Sequence, residues 1–338
     1  MKDIRNYNLL NNNTFGIDET CRRFVEFSDV SELADVLRGL SADDMPLLVI
    51  GGGSNLLLTG RYEGTVLRSA ISDWSVVSED NDHVYLRCGS GICWDDVVEK
   101  AVTNKWYGAE NLSIIPGDVG ASAVQNIGAY GREAKDIIHT VEAIEISSGN
   151  KVTFSNADCK YAYRQSRFKN EWKGRYIITY VTYRLDKAYT PYVEYGNIMT
   201  ELEKRGIAEP TARNVRDVII DIRNAKLPDP KLQGNAGSFF MNPMVSRHVF
   251  EQLLNDYPQM PHYHVDDDTE KIPAGWLIDQ CGWKGKTLGK AGVHDKQALV
   301  LVNRGGAKGQ DIIALCDAVR TDVKRKFGID IYPEVNFV

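Results

Sequence analysis

The sequence has few cysteines, no long apolar run and no excess of positive charge, and each shortage excludes a class of protein. Its six cysteines form no C-x-x-C pair, which argues against a zinc site and against a disulfide scaffold. No stretch approaches the roughly 18 apolar residues of a membrane span, and the polar N-terminus predicts no signal peptide. Lysine and arginine total 40 against 46 acidic residues without a basic block, so nucleic-acid binding is not expected. The sequence therefore predicts a cytoplasmic protein with reduced thiols.

The 338 residues have an ordinary globular composition, with 43% apolar and 25% charged residues, and the length predicts two or three domains. Segments with helical spacing of apolar residues alternate with short apolar runs that are typical of strands. The main predicted elements are helices beginning near Asp29 and Trp94 and over 214–223 and 310–327, and strands over 47–50, 141–146, 176–185 and 329–331. The fold class is therefore α+β (mixed α/β), in at least two lobes.

Two glycine-rich segments carry the strongest functional signal. Gly51-Gly52-Gly53-Ser54-Asn55 follows a predicted buried strand, and successive glycines let backbone N–H groups converge on phosphate oxygens. It lacks the third glycine and the following helix of the Rossmann fingerprint. The second segment, 116–131, has little to bury and permits the close approach of a large ligand. A plain glycine turn is the alternative for the first segment alone. Together they favour a dinucleotide, either a flavin or a nicotinamide.

Six segments, spread in order over nearly the whole chain, form a specific combination. They are Gly51–Asn55, Pro116–Ser122, Gln125–Gly131, Tyr163-Arg164, Gly237-Ser238-Phe239-Phe240 and Pro333-Glu334-Val335. In these segments the chain resembles the UDP-N-acetylenolpyruvoylglucosamine reductase (MurB) family, flavin enzymes that make UDP-N-acetylmuramate for bacterial cell walls. The resemblance implies a vanillyl-alcohol/p-cresol-type FAD-binding fold of two lobes plus a C-terminal substrate-binding domain. Glu194-Tyr195-Gly196 resembles the family type in which an inserted loop carries a tyrosine that closes over the substrate.

The resemblance also implies a role for individual residues. The implied catalytic residues are Arg164, Ser238 and Glu334. Non-covalent FAD binding is implied for Gly51, Gly52, Gly53, Ser54, Asn55, Pro116, Gly117, Gly120, Ser122, Gln125, Asn126, Gly128, Ala129, Tyr130 and Gly131. Substrate contacts are implied for Tyr195, Arg223, Lys226, Asn242, Tyr263, Lys284 and Gln297. No metal is implied.

The implied reaction is the reduction of the enolpyruvyl double bond of UDP-N-acetylglucosamine enolpyruvate. NADPH reduces FAD and NADP leaves, after which flavin N5 gives hydride to C3 and negative charge builds on the substrate carboxylate. Arg164 offers that charge a planar and permanently charged fork, whereas Glu334 helps only as a protonated donor. Ser238 then gives its proton to C2. The choice of NADPH over NADH rests on the resemblance alone.

The resemblance further implies three lobes and a monomer. The lobes are 1–70 with 326–338, 71–224 including the 189–206 insert, and the substrate-binding domain 225–325. FAD is expected between the first two lobes, where the returning C-terminus would bring Glu334 to the flavin.

Two other functions remain open at this point. The first is an oxidase of the same fold class that uses oxygen, and many such oxidases tether FAD through a histidine. No histidine lies between His83 and His139, so that tether is absent from the glycine-rich segments. The second is a flavin-binding or nucleotide-binding module without catalysis, which would leave the three implied catalytic residues without a purpose.

Overall fold

The computed structural model describes all 338 residues, Met1 to Val338, and alternates strands with helices along the chain. The strands are β1 (Lys2–Asn8), β2 (Thr20–Phe27), β3 (Leu47–Ile50), β4 (Leu56–Leu57), β5 (Tyr62–Ser69), β6 (Trp74–Glu79), β7 (His83–Gly89), β8 (Gly128–Ala129), β9 (Arg132–Glu133), β10 (Ile138–Glu145), β11 (Lys151–Ser155), β12 (Tyr176–Asp186), β13 (Met244–Ser246), β14 (Tyr263–Asp266), β15 (Thr269–Lys271), β16 (Thr287–Leu288), β17 (Ala291–Val293), β18 (Leu301–Asn303) and β19 (Asn336–Phe337). The helices are α1 (Val30–Arg38), α2 (Trp94–Thr103), α3 (Val119–Gln125), α4 (Ile198–Lys204), α5 (Ala212–Lys226), α6 (Arg247–Asp256), α7 (Ala274–Gln280) and α8 (Gly309–Phe327). None of these helices combines the length and the apolar composition that crossing a bilayer requires. The mixed α/β class predicted from the sequence is confirmed.

The four main predicted helices are present as α1, α2, α5 and α8. Asp29 caps α1, because its carboxylate accepts hydrogen bonds from the backbone N–H groups of Ser31 at 2.8 Å and Glu32 at 2.9 Å. Gly328 ends α8 in the left-handed region, with φ 69°, where glycine carries no steric penalty. Local capping signals therefore fixed these helix ends.

The prediction of a strand over 329–331 is wrong. Ile329 and Ile331 are buried and Asp330 is exposed, as alternation predicts, but the three residues form no strand. The guanidinium of Arg320, on α8, donates from Nε to the carbonyl oxygen of Ile331 at 3.0 Å. The side chain of Arg320 thus hydrogen-bonds to a carbonyl oxygen that a neighbouring strand would pair in a sheet.

Helix α3 lies in the segment 107–131, where the sequence carries few helix signals. Its small residues serve close packing, since a Cβ built on Gly120 would lie only 3.0 Å from the Cβ of Ser90. The backbone N–H of Gly120 also donates to the carbonyl oxygen of Ser90 at 2.9 Å. Tertiary contacts, rather than helix propensity, therefore stabilise this short helix.

The chain divides into two compact units, of which the first comprises residues 1–7, 21–52 and 63–225. It contains an antiparallel sheet in the order β11-β10-β12-β7-β6 and a second sheet in the order β1-β2-β5-β3. Strands β3 and β5 of the second sheet run parallel. Buried residues of α2 and α3 form one core with the larger sheet. Strand β3 leads directly into the first glycine-rich segment.

The second unit comprises residues 8–20, 53–62 and 226–338. It contains two three-stranded sheets, in the orders β13-β15-β14 and β16-β17-β18, and the parallel pair of β4 with β19. Helix α8 packs against β17 and β18 with its buried apolar face. The division into three lobes that the resemblance implies stays a prediction.

Glu270 is a buried carboxylate that joins two histidines in the second unit. Its Oε2 lies 3.0 Å from Nδ1 of His262, and its Oε1 lies 3.0 Å from Nδ1 of His264. These hydrogen bonds, with that of His264 the larger influence, hold the pKa of Glu270 below its usual value. The three side chains stabilise the β14–β15 hairpin.

Replacement of Glu270 by glutamine is expected to destabilise the second unit in a pH-dependent way. Because the pKa of Glu270 is lower in the folded state, its contribution is present above the unfolded pKa of about 4.5 and is lost as pH falls below it. Urea unfolding at several pH values should therefore show Glu270→Gln less stable than the parent at pH 7, with the difference shrinking towards pH 3. The control is Glu251→Gln, which removes an exposed carboxylate 3.4 Å from Arg247. An equal loss at both pH values would contradict this account.

Candidate active site

Gly51 and Gly52 meet the second glycine-rich segment within the first unit. A Cβ built on Gly51 would lie 3.3 Å from Oδ2 of Asp118, and one on Gly52 would lie 3.4 Å from Oδ1 of the same residue. The Cα of Gly117 is also 3.4 Å from the Cβ position of Gly52. Glycine at these two positions therefore leaves a cradle that side chains would fill, as the binding of a large cofactor requires.

Asp118 is a buried carboxyl group at this cradle. Its Oδ2 has no hydrogen-bond partner, and its side chain does not cap the N-terminus of α3. Burial raises the pKa of Asp118 to about 6, against the opposing attraction of Arg68. A buried polar atom without a partner is destabilising by about 1–3 kcal/mol, which is the signature of a site that a ligand completes. The cradle and this orphaned oxygen fit a bound dinucleotide.

The guanidinium of Arg164 is hydrogen-bonded to the backbone of the second glycine-rich segment. Its Nη2 donates to the carbonyl oxygen of Gly128 at 2.6 Å, and its Nη1 donates to that of Asn126 at 3.4 Å. Arg164 has φ 56°, a left-handed conformation that costs a non-glycine residue about 1–3 kcal/mol. Such a conformation persists only where surrounding contacts enforce it, and it is typical of functional sites.

Asn126 holds this arrangement from the other side. It is fully buried, with φ 48°, and its amide donates to the carbonyl oxygen of Ala162 at 2.9 Å and to Glu133 at 3.1 Å. Its side-chain oxygen accepts from the backbone N–H of Lys135 at 3.0 Å. The predicted FAD residue Asn126 thus uses its side chain to fix the loop beside Arg164.

The other predicted FAD residues of this segment differ in the direction of their side chains. The hydroxyl of Ser122 donates to the carbonyl oxygen of Val119 at 2.7 Å and lies 2.9 Å from the hydroxyl of Tyr183, inside the core. Pro116 is exposed, whereas Gln125 and Ala129 are half-buried. That these residues contact FAD stays a prediction, and the Ser122 hydroxyl is already engaged in the core.

The predicted insert docks on the same segment through residues that the sequence analysis missed. The buried amide of Asn111 donates to the carbonyl oxygens of Tyr130 at 3.1 Å and Tyr192 at 2.9 Å. The ring of Tyr192 lies against Gly131, and the guanidinium of Arg132 is 4.5 Å from the ring centroid. Asn111 lies in a short 3-10 helix and has no sequence pattern that would have singled it out.

Tyr195, the predicted substrate-closing residue, is on this insert and is 37% exposed. The adjacent Gly196 has φ 70°, and a Cβ built on it would lie 3.6 Å from the ring of Tyr130. The insert is therefore packed on the glycine-rich segment beside an accessible tyrosine.

Arg223, on α5, brings a second guanidinium close to Arg164. Its Nε is buried without a hydrogen-bond partner. Burial lowers the pKa of Arg223, and the positive charge of Arg164 lowers it further, against the opposing influence of Tyr130. A buried cation that is repelled by a neighbouring cation favours an anionic ligand, because an anion satisfies both charges and the open donor.

In the second unit, the segment that contains Ser238 lies next to the segment that contains Glu334. The backbone N–H of Glu334 donates to the carbonyl oxygen of Phe239 at 2.8 Å. The side chains of Phe239 and Phe240 are buried, whereas Ser238 is exposed. The side-chain oxygen of Asn235 accepts from the backbone N–H of Gly237 at 2.9 Å and so fixes the turn before Ser238.

The end of the first glycine-rich segment lies next to the C-terminus. The carbonyl oxygen of Asn55 accepts from the backbone N–H of Asn336 at 3.1 Å, and Nδ2 of Asn55 is 3.5 Å from the carbonyl oxygen of Glu334. Gly53 has φ 65°, and a Cβ there would collide with the carbonyl oxygen of Asn12. Ser54 is half-buried between them. The side chain of Asn55 thus lies beside the backbone of Glu334, and the implied roles of the two residues stay predictions.

Two predicted substrate residues of the second unit meet at the start of α7. Oδ1 of Asn242 accepts from the backbone N–H of Ala274 at 2.9 Å, and Oε1 of Gln297 lies 3.2 Å from the Cβ position of Gly275. The other three are more accessible: Lys226 ends α5, Tyr263 on β14 is 42% exposed, and Lys284 pairs with Asp279 at 3.3 Å. The substrate contacts of all five stay predictions.

Comparison with known proteins gives the class of protein first. Residues 21–155 match the family model described as FAD binding domain, and residues 229–338 match that of the UDP-N-acetylenolpyruvoylglucosamine reductase C-terminal domain. The first match contains Gly51, Gly52 and Asp118, and the second contains Ser238 and Glu334. The chain is therefore an FAD-dependent oxidoreductase, and the predicted FAD-binding fold is confirmed.

The relatives give the family. A UDP-N-acetylenolpyruvoylglucosamine reductase of Bacteroides fragilis (strain YCH46) is 56% identical over 333 residues, which cover 98% of this chain and 99% of the relative. One from Porphyromonas gingivalis is 45% identical over 337 residues and 99% of both chains. The chain belongs to the UDP-N-acetylenolpyruvoylglucosamine reductase family. The crystal structure of the Thermus caldophilus reductase (MurB) shares the fold, with a TM-score of 0.67, 21% identity and coverage of 99% of this chain and 98% of that one.

Replacement of Gly131 by alanine is expected to displace the insert. Both Gly131 and Gly149 have left-handed φ values of 78° and 71°, so alanine at either costs about 1–2 kcal/mol of backbone strain. Only at Gly131 would the new Cβ also lie 2.5 Å from the ring of Tyr192, whereas nothing lies within 4 Å at Gly149. Hydrogen exchange should therefore show faster amide exchange over 189–197 in Gly131→Ala than in Gly149→Ala. Equal exchange in the two variants would show that Tyr192 does not anchor the insert.

Proposed function

We propose that the chain reduces UDP-N-acetylglucosamine enolpyruvate to UDP-N-acetylmuramate with NADPH, through non-covalently bound FAD, as a step in peptidoglycan precursor synthesis. The observation that carries this proposal is the adjacency of Ser238 and Glu334, in a chain that belongs to the reductase family. A proton donor beside a second acidic group suits the protonation of a carbon next to a carboxylate.

FAD, when bound, accepts hydride from NADPH and supplies it to C3 of the enolpyruvyl group. The chain's own residues hold and orient the reactants. The backbone of Gly51 and Gly52 permits close approach of the cofactor. The guanidinium of Arg164, the proposed catalytic arginine, is hydrogen-bonded to a carbonyl oxygen of the second glycine-rich segment. The proposed task of this unit is therefore to bind FAD and to fix the substrate carboxylate relative to it.

The proposed role of Arg164 is to offset the negative charge that develops on the substrate carboxylate. Its guanidinium is held by the carbonyl oxygens of Gly128 and Asn126, so its direction is set before the substrate arrives. A permanently charged planar fork matches a carboxylate in shape and charge. Arg223 adds a second cation nearby and an open donor for an anionic part of the substrate.

The proposed proton donor is Ser238, which transfers its hydroxyl proton to C2 after hydride has reached C3. Glu334, on the segment adjacent to that of Ser238, is proposed to stabilise with Arg164 the charge that builds on the substrate. The exposed Tyr195 closes over the bound substrate, as in family members with the tyrosine insert. We propose in addition that the chain works as a monomer, on the resemblance, and in the cytoplasm, on the composition of its sequence.

The proposed function is tested by an anaerobic flavin titration of the purified chain. Bound FAD is first bleached with NADPH, and UDP-N-acetylglucosamine enolpyruvate is then added while the flavin absorbance is followed. Recovery of the oxidised spectrum together with UDP-N-acetylmuramate supports the reductase. A flavin that stays bleached until oxygen is admitted would favour an oxidase instead, and a chain that takes up no FAD would overturn the proposal.

Replacement of Ser238 by alanine separates the two halves of the proposed reaction. Ser238→Ala should bind FAD and be reduced by NADPH at the parent rate, because Ser238 takes no part in that half. Product formation should fall by about 10²–10⁴-fold, the usual contribution of a positioned acid. Stopped-flow absorbance measures both rates, with Ser75→Ala, an exposed serine on β6, as the matched control. A parent rate of product formation in Ser238→Ala would exclude the serine as the donor.

A further inference from the structure

Asp118 is the acidic residue beside Gly51 and Gly52 in the first unit, and it has no part in the proposed reaction. Its side chain is 8% exposed, and Oδ2 has no hydrogen-bond partner. The Cβ positions of Gly51 and Gly52 lie 3.3–3.4 Å from its carboxyl oxygens. A buried oxygen without a partner therefore lies beside two glycines, and glycine backbone is the kind that can approach phosphate oxygens closely.

We propose that Asp118 binds the diphosphate of FAD as a neutral acid, with its O–H donating to a phosphate oxygen, so that FAD binding takes up one proton from solvent. This inference rests on the proposed function, since it assumes that Gly51 and Gly52 hold the cofactor. The proton binds to a carboxylate oxygen of Asp118, and no covalent bond to the cofactor forms or breaks.

The groups that face Asp118 explain why its ionisation is finely balanced. Arg68, on β5, favours the carboxylate, and Cys93 lies opposite in an isolated antiparallel bridge. Burial, and to a lesser degree the charge of Asp118, raise the pKa of the Cys93 thiol, which therefore stays neutral. Neither Gly51, Gly52 nor helix α3 carries a charged side chain. Burial is thus opposed by a single cation.

The diphosphate of FAD would favour the protonated form of Asp118 over the carboxylate. Without the cofactor the pKa of Asp118 is about 6, so the carboxyl group is mostly ionised at pH 7.5. A nearby diphosphate adds negative charge in a buried site and raises that pKa further, because two like charges at short range repel strongly there. Since the bound state then holds a proton that the free state lacks, FAD affinity must fall as pH rises above about 6.

The test is to titrate FAD into the full chain, after FAD has been removed reversibly, at pH values from 5.5 to 8.5. The parent affinity should fall by up to about tenfold per pH unit above pH 6. Asp118→Asn keeps a neutral donor of the same shape, so its affinity should be nearly independent of pH and should exceed that of the parent at pH 8. The control is Asp43→Asn, an exposed aspartate on the same unit, which should follow the parent.

Calorimetry of the parent in two buffers with different ionisation enthalpies measures the proton uptake directly, and does not depend on the variant folding. Uptake approaching one proton at pH 7.5 supports the inference, and no uptake overturns it. Weaker binding of Asp118→Asn at every pH would also overturn it, because it would show a carboxylate that accepts from a cofactor hydroxyl. If the parent binds no FAD at any pH, the proposed function fails as well, which separates the two conclusions.

Discussion

The close approach of backbone to backbone at the glycine-rich segments is the constraint on which the candidate site depends. Gly51 and Gly52 leave room beside Asp118, and Gly53 tolerates no side chain at all against Asn12. Arg164 is held by the carbonyl oxygens of Gly128 and Asn126. Because backbone positions vary little once a chain has folded, the direction of this guanidinium is fixed before any ligand arrives.

The sequence predicted the parts of the fold whose signals are local. Asp29 caps α1 and Gly328 ends α8 because each acts through its own backbone or side chain. The strand expected over 329–331 is absent, and the carbonyl oxygen of Ile331 accepts instead from the guanidinium of Arg320 on α8. Alternation of apolar residues cannot reveal such a partner. The mixed α/β class needed only the local signals and was therefore predictable.

For the candidate site, the sequence supplied the residue types and the resemblance supplied their roles. The pairing of the Ser238 and Glu334 segments is consistent with those roles, although the two residues are far apart in the chain. The contribution of Asn111 was not predictable, because its two hydrogen bonds join segments that only the fold brings together. The environment of Asp118 was not predictable either, because the glycines that lie beside it follow strand β3, far from Asp118 in the chain.

The anchoring of the insert by Asn111 has a consequence for how such a chain can diversify. The amide secures the insert through the carbonyl oxygen of Tyr192, whereas Tyr195 is accessible three residues further on. The base of the loop is thus tied to the second glycine-rich segment, while the ring of Tyr195 is only partly covered. The anchorage of the loop and the surface that it exposes are thereby separated along a few residues of the chain, so that a substitution at the exposed position leaves the hydrogen bonds of Asn111 in place.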